Sequence, residues 1–526
     1  MKTILPRDVE ALRAGGAEWA LIDVREAAEA DAGHVPGSTF LPRRMLELRI
    51  AEFVSDPRTT IVLVDEGGRR APLAAATLAR LGYSDVRVLE GGAPAWQAAG
   101  LALDTGSNVP SKLFGERVFE EKGVPQLPVE ALERWSREGR PCRVIDIRTP
   151  DEFKIGRIPG AYGGFGVDVG LSAADLAALN VPVVVHCAGR TRSIIACQTL
   201  RELGVPEVHA LRNGTMGWTL AGFEIEREPV DRMLVPSAAS REAVARKAEG
   251  LGSHEGVTRV AAPTLEDWVQ RRERKEMNLH VFDVRQVAEY AEGHVPGARA
   301  LPGGLAVQRT DEFVAVRAAP VVLVDDGEAR AWITGMWLRR MGFARVHVLA
   351  GGLDAWRASG RPVEKGRPRS APLGLDAARA LANPLAPQAM QRWIASHPGA
   401  RILDVDTSRN YERGHVPGAA WLPYGWLEER IGALAPGTST PIAVTCHNGL
   451  HAMYAAAALN ALGYASVSAL DGGVAAWTKA GLPVETGIDV AEPGDIVDPP
   501  YQKDKKAMAT YLAWEQKLTH REGPLA

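Results

Sequence analysis

Residues 183–196, VVVHCAGRTRSIIA, run from an apolar segment into Cys187, turn through Arg190, Thr191 and Arg192, and leave along SIIACQTLRELG. Three valines, a short loop with Gly189, and a longer stretch of helical period read as strand, loop and helix. At the C-terminal end of a parallel strand a ligand sits against the next helix's N-terminus, where free N–H groups and the helix dipole favour an anion. Two guanidiniums and that dipole all act to lower a cysteine pKa and to hold an anion. Cys187 is therefore expected to be a nucleophilic thiolate.

The same pattern recurs three more times. The loop segments are IVLVDEGGRRA, VVVHCAGRTRS, VVLVDDGEARA and IAVTCHNGLHA, with Asp65, Cys187, Asp325 and Cys446 at the first loop position. Upstream of them stand LIDVREAAEADAGHVPGS (21–38), VIDIRTPDEFKIGRIPGA (144–161), VFDVRQVAEYAEGHVPGA (281–298) and ILDVDTSRNYERGHVPGA (402–419). Downstream come GGAPAW, NGTMGW, GGLDAW and GGVAAW, and the first loop residue is followed 31 residues later by Trp96, Trp218, Trp356 or Trp477 in every copy. Counting back to Asp23, Asp146, Asp283 and Asp404 gives 42, 41, 42 and 42 residues. An internal repeat of this regularity sets the architecture.

Within a copy, short apolar strands alternate with helical patterns. That order implies right-handed crossovers and a parallel sheet with helices on both faces, an α/β fold repeated in tandem. The expected domains are 1–108, 109–236 with Cys187, 255–368, and 374–488 with Cys446, followed by a tail at 489–526. LALDTGSNVPSKLFG, VPSAASREAVARKAEGLGSHEG and VEKGRPRSAPLG read as linkers, and the tail as a charged helix, either packed on the array or solvated.

With 526 residues the chain exceeds one domain, given roughly 100–200 residues per domain. The net charge of −3 gives no electrostatic case for nucleic acid or an anionic membrane surface. No apolar run nears the roughly 18 residues of a membrane span, and MKTILPRDVEALRAGG lacks a signal-peptide core, so a cytoplasmic protein is expected. Four cysteines make neither a disulfide framework nor a paired metal site, and no metal or organic cofactor is expected.

Cys142 precedes a strand and Cys197 lies on the helix after the loop; both read as structural thiols. The aspartates recur in copies without a loop cysteine, with Arg25, Arg148 and Arg285 two residues on and Asp406 in the fourth, which points to a structural ion pair. His34, His294 and His415 occupy a turn where the copy with Cys187 has Arg157, so none is a required base. The tryptophans read as core residues.

The Asp-aliphatic-Arg strand, the GHVPGA turn, the cysteine loop and the GG-x-x-x-W element together resemble the rhodanese domain, four times over nearly the whole chain. The resemblance implies a sulfurtransferase, in which a loop cysteine takes sulfane sulfur from a donor such as thiosulfate. It carries that sulfur as a persulfide and passes it to cyanide or a thiol. On this chain it implies Cys187 as nucleophile and Arg190 and Arg192 as binders of the anionic donor. Ala188, Gly189, Thr191 and Ser193 would line the donor site. Asp65 and Asp325 cannot form a persulfide, so the first and third copies resemble inactive modules. Cys446, with His447 and His451, forms a second candidate site in which a histidine replaces the second arginine.

Two arginines suit a dianion, favouring thiosulfate over mercaptopyruvate. A protein sulfur acceptor is a further candidate partner. Two other classes compete. A cysteine-dependent phosphatase needs Cys-x5-Arg, but Ser193 stands six residues after Cys187 and the arginine comes one earlier. A non-catalytic relay or binding scaffold draws support from the degenerate loops. By analogy with paired-domain relatives, the first copy should pack on the second and the third on the fourth.

Overall fold

The computed structural model describes residues 1–366 and 372–518. Among them the chain forms four five-stranded parallel sheets, one per repeat. In the second repeat the strands are β1 (Gln126–Leu127), β2 (Arg143–Asp146), β3 (Tyr162–Gly163), β4 (Val183–His186) and β5 (Val208–Leu211), in the order β1-β5-β4-β2-β3. The other repeats have the same order. The central strand β4 is buried along its whole length, which is why it reads as a continuous apolar run rather than an alternation.

The helices that position the site are α1 (Val109–Lys122), α2 (Pro150–Ile155), α3 (Thr191–Glu202), α4 (Gly214–Leu220), α5 (Ala238–His254), α6 (Ala329–Arg340) and α7 (Lys505–Lys517). Two expected linkers turn out to be helical. LALDTGSNVPSKLFG runs into α1, much of which is buried, and the segment between the second and third repeats forms α5. Val244 and Ala248 of α5 are buried, and Gly252 lies so close to the Trp332 ring that a Cβ would stand 2.6 Å from it. The expected linker 363–374 falls partly outside the described residues, at 367–371.

The repeats pair differently from the analogy with neighbouring domains. One compact unit comprises Met1–Ser107 and Ser370–Val497, the other Asn108–Arg369 and Asp498–Ala526. The first repeat thus packs on the fourth, and the second on the third. The cause lies in the helices: α3 and α6 are buried on nearly every face, so each needs a partner beyond its own sheet. They share one core, in which Trp337 donates its indole N–H to Thr199 Oγ1 at 2.9 Å. In the other unit Arg43 is buried between Glu47 and Glu428, and the Tyr424 hydroxyl donates to Glu47 at 3.0 Å.

Candidate active site

The GG-x-x-x-W element explains the constant spacing from the loop. Asn213, just before α4, has φ +60°, and Gly214 has φ +51°. This left-handed pair turns the chain so that Thr215 N–H donates to Cys187 O and Met216 N–H to Ala188 O, both at 2.9 Å. The same clamp joins Ala93 to Asp65, Leu353 to Asp325 and Val474 to Cys446. Trp218 lies in the core on this side of the sheet, its indole N–H donating to Glu224 O at 2.8 Å.

Cys187 sits at the end of β4, 2% exposed, with Sγ 3.6 Å from Ser193 Oγ. Ser193 donates in turn to Arg190 O at 2.8 Å, which fixes the loop's curl. Ala188, Gly189, Arg190, Thr191 and Arg192 follow around the start of α3.

Both arginines are paired. Arg190 makes two 2.6 Å bonds to Glu116 of α1, and Arg192 reaches Glu152 of α2 at 2.8 and 2.9 Å. Burial opposes the Glu152 charge, but the Arg192 guanidinium outweighs it and pulls the carboxyl down to about 2. Burial likewise opposes the Arg192 charge, and Glu152 more than compensates, raising its pKa. The Arg192–Glu152 pair recurs as Arg70–Glu29 and Arg330–Glu289 in the copies that lack a cysteine. It therefore belongs to the repeat's framework, where sequence reading expects a donor-gripping guanidinium. Arg190 is particular to the second repeat: Gly68, Glu328 and Gly449 stand at its position. Both guanidiniums remain within electrostatic reach of Cys187.

The degenerate loops satisfy themselves. Asp65 accepts from Gly67 N–H at 2.7 Å and Ala71 N–H at 2.9 Å; Asp325 accepts from the N–H groups of Asp326 and Arg330. Each carboxylate takes the amides an anion would take. In the fourth copy Cys446 is fully buried, and burial with Asp406 pushes its thiol up to about 12. Ala452 N–H donates to its sulfur at 3.3 Å. His447 is exposed with its backbone N–H on Asp406, and burial lowers the His451 pKa, so the imidazole at the arginine position supplies no cation at neutral pH.

The remaining expectations resolve around the framework. Arg25, Arg148 and Arg285 each fork onto the aspartate two residues before, Arg148 Nη2 standing 2.6 Å from Asp146 Oδ2. His34, His294 and His415 place Nδ1 on the carbonyl four residues back, and Arg157 bonds Phe153 O in the same way. Cys197 is fully buried and burial pushes its thiol up to about 12, while Cys142 packs at the edge of a core cluster.

Three features escape the sequence reading. Glu116 and Glu152, the partners of the loop arginines, are the first. The second is a cavity of about 450 Å³ between the second and third repeats, bounded by Arg148, Phe165, Thr191, Arg192, Gln286 and Leu305 among others. The third is where α7 docks: of its two expected readings the packed helix holds and the solvated one does not. Met508 and Leu512 are buried against Ala188 and Met216, and Glu515 Oε1 accepts from Thr191 Oγ1 at 2.7 Å and Thr191 N–H at 3.3 Å. Among the described residues no helix is long and apolar enough to cross a membrane.

Comparison with known proteins gives this geometry its context. Residues 6–99, 129–221, 265–359 and 386–480 each match the model of the Rhodanese-like domain family. The thiosulfate sulfurtransferase of Pseudomonas aeruginosa is 29% identical over 257 residues, 41% of this chain and 93% of the relative. The 3-mercaptopyruvate sulfurtransferase of Escherichia coli is 31% identical over 252 residues, 38% of this chain and 86% of the relative. A crystal structure of a thiosulfate sulfurtransferase from Pseudomonas aeruginosa aligns with a TM-score of 0.89 at 37% identity, covering 99% of this chain and 97% of that one. With the four matches covering most of its length and falling on the four sheets, the chain belongs to the rhodanese-like domain family.

Proposed function

We propose that the chain is a sulfurtransferase that moves sulfane sulfur from thiosulfate, through a persulfide on Cys187, to a thiophilic acceptor such as cyanide or a thiol. The observation that carries this reading is the contrast among the four loops. Cys187 faces two guanidiniums at the start of α3, whereas Asp65 and Asp325 cap their own helices and Cys446 is held as a neutral thiol.

In the first half-reaction the Cys187 thiolate attacks the outer sulfur of thiosulfate. A new S–S bond forms, the donor's S–S bond breaks, and sulfite leaves with its electron pair; three negative charges stand on each side. In the second, the acceptor attacks the outer sulfur and Cys187 departs as thiolate, so ping-pong kinetics follow. Because both arginines are already paired, the donor's charge is met chiefly by the N–H groups from Ala188 to Arg192 and the dipole of α3. Arg190 and Arg192 stabilise the thiolate and persulfide from their fixed positions. Names among the relatives divide between thiosulfate and mercaptopyruvate, and the full-length structural neighbour favours thiosulfate.

Intact-mass spectrometry after brief exposure to thiosulfate tests this. Wild type and Cys446→Ser are expected to gain one sulfur atom and Cys187→Ser none. Sulfur uptake from mercaptopyruvate but not thiosulfate would reassign the donor. No uptake from either would favour a non-catalytic scaffold.

A further inference from the structure

Helix α7 closes over the Cys187 loop in a way that catalysis does not require. Its Leu512 and Met508 cover Ala188, and Cys187 is left 2% exposed. Asp504 caps its start by accepting from Ala507 N–H at 2.7 Å. The Lys112 ammonium lies 4.9 and 4.7 Å from the rings of Tyr511 and Trp514, and Leu518 packs on Val109 and Leu113 of α1.

This docking delivers a carboxylate to the first N–H of α3, the position where an anion gains from both the free amide and the dipole. Glu515 is 1% exposed; Oε1 is bound by Thr191, and Oε2 is buried without a hydrogen-bond partner beside Gly189. Its charge is not needed to balance the loop arginines, since Arg190 has Glu116 and Arg192 has Glu152. Glu515 therefore adds a negative charge to a loop whose cations are already matched. A dianion entering with α7 in place would meet three carboxylates and a filled amide site. The preceding segment, 488–504, carries only the short 3₁₀ turn Pro500–Gln502 ahead of α7.

We propose that α7 is an internal competitor of the donor: Glu515 occupies the anion position at Thr191, and α7 must lift before a dianion reaches Cys187. The identity of that dianion rests on the sulfurtransferase reading above. Apparent donor affinity is then reduced by the fraction of molecules with α7 docked.

Two measurements on the full-length protein test this without thiosulfate. Alkylation of Cys187 by iodoacetamide, followed by peptide mass mapping, is expected to run about tenfold faster in Leu512→Asp than in wild type; an equal rate overturns the proposal. Sulfate is then added as an inert dianion that shields Cys187 from the same reagent. The concentration giving half protection is expected to fall about tenfold in Glu515→Gln, and an unchanged or higher value overturns the proposal. Failure of wild type to take sulfur from thiosulfate would remove the proposed function while leaving both rates to be judged on their own.

Discussion

Asp404 stands where three other copies have an aspartate clasped by an arginine, yet its neighbour two residues on is Asp406. Its carboxyl is 1% exposed, with only Asp406 N–H and the Thr445 hydroxyl, both at 3.0 Å, to support a charge. Burial, joined by the nearby Asp406 charge, raises its pKa from 3.8 to about 7. A carboxyl whose folded value lies above its unfolded one contributes stability that is complete below about pH 4 and is lost as pH rises through about 7. Asp404→Asn, which keeps the shape, the bond accepted from Asp406 N–H and, with its amide now donating, the contact with the Thr445 hydroxyl, is expected to be more stable than wild type by about 2 kcal/mol at pH 8 and to show a flatter profile between pH 4 and 7. Urea unfolding across that range measures it. Glu152 runs the other way: with its carboxyl held down at about 2, the stability from its pair with Arg192 is present above about pH 4.5 and fades as the pH falls.

The loop and the helix beneath it form one device. Gly214 at φ +51° lies so near the Cys187 carbonyl that any Cβ would collide with it. Gly214→Ala is expected to cost about 2–4 kcal/mol and to slow persulfide formation, because relief of the clash pushes Cys187 away from Ser193 and the start of α3. Denaturant unfolding and timed mass spectrometry read the two effects. This device is legible in the sequence because its parts recur at fixed offsets: a strand, the first loop residue, a left-handed pair that is Asn213–Gly214 here and Gly-Gly in the other copies, and a tryptophan. Glu116 and Glu515 are not, although they touch Arg190 and Thr191. They arrive from 74 and 324 residues away, and a contact made once between distant elements leaves no period to count. The Arg192–Glu152 pair could have been found by the same counting, since Arg70–Glu29 and Arg330–Glu289 match its spacing to within one residue.

The cysteine-free third repeat shares one core with the second. Helix α6 buries Trp337 completely against α3, with Phe114 of α1 edge-on at 5.8 Å. Trp337→Ala is expected to reduce the local stability of α3 and α6 by about 3–5 kcal/mol, read as faster amide hydrogen exchange in both helices. Pairing of the first repeat with the fourth also nests the chain, since the second and third repeats are made between the two halves of the other unit. On a ribosome adding roughly 5–20 residues per second, the first repeat waits on the order of tens of seconds before its partner emerges. Arg43 and Glu47 spend that interval without Glu428 and Tyr424. Helix α7 emerges later still, so during synthesis the Cys187 loop is complete and uncovered before the segment that will cover it exists.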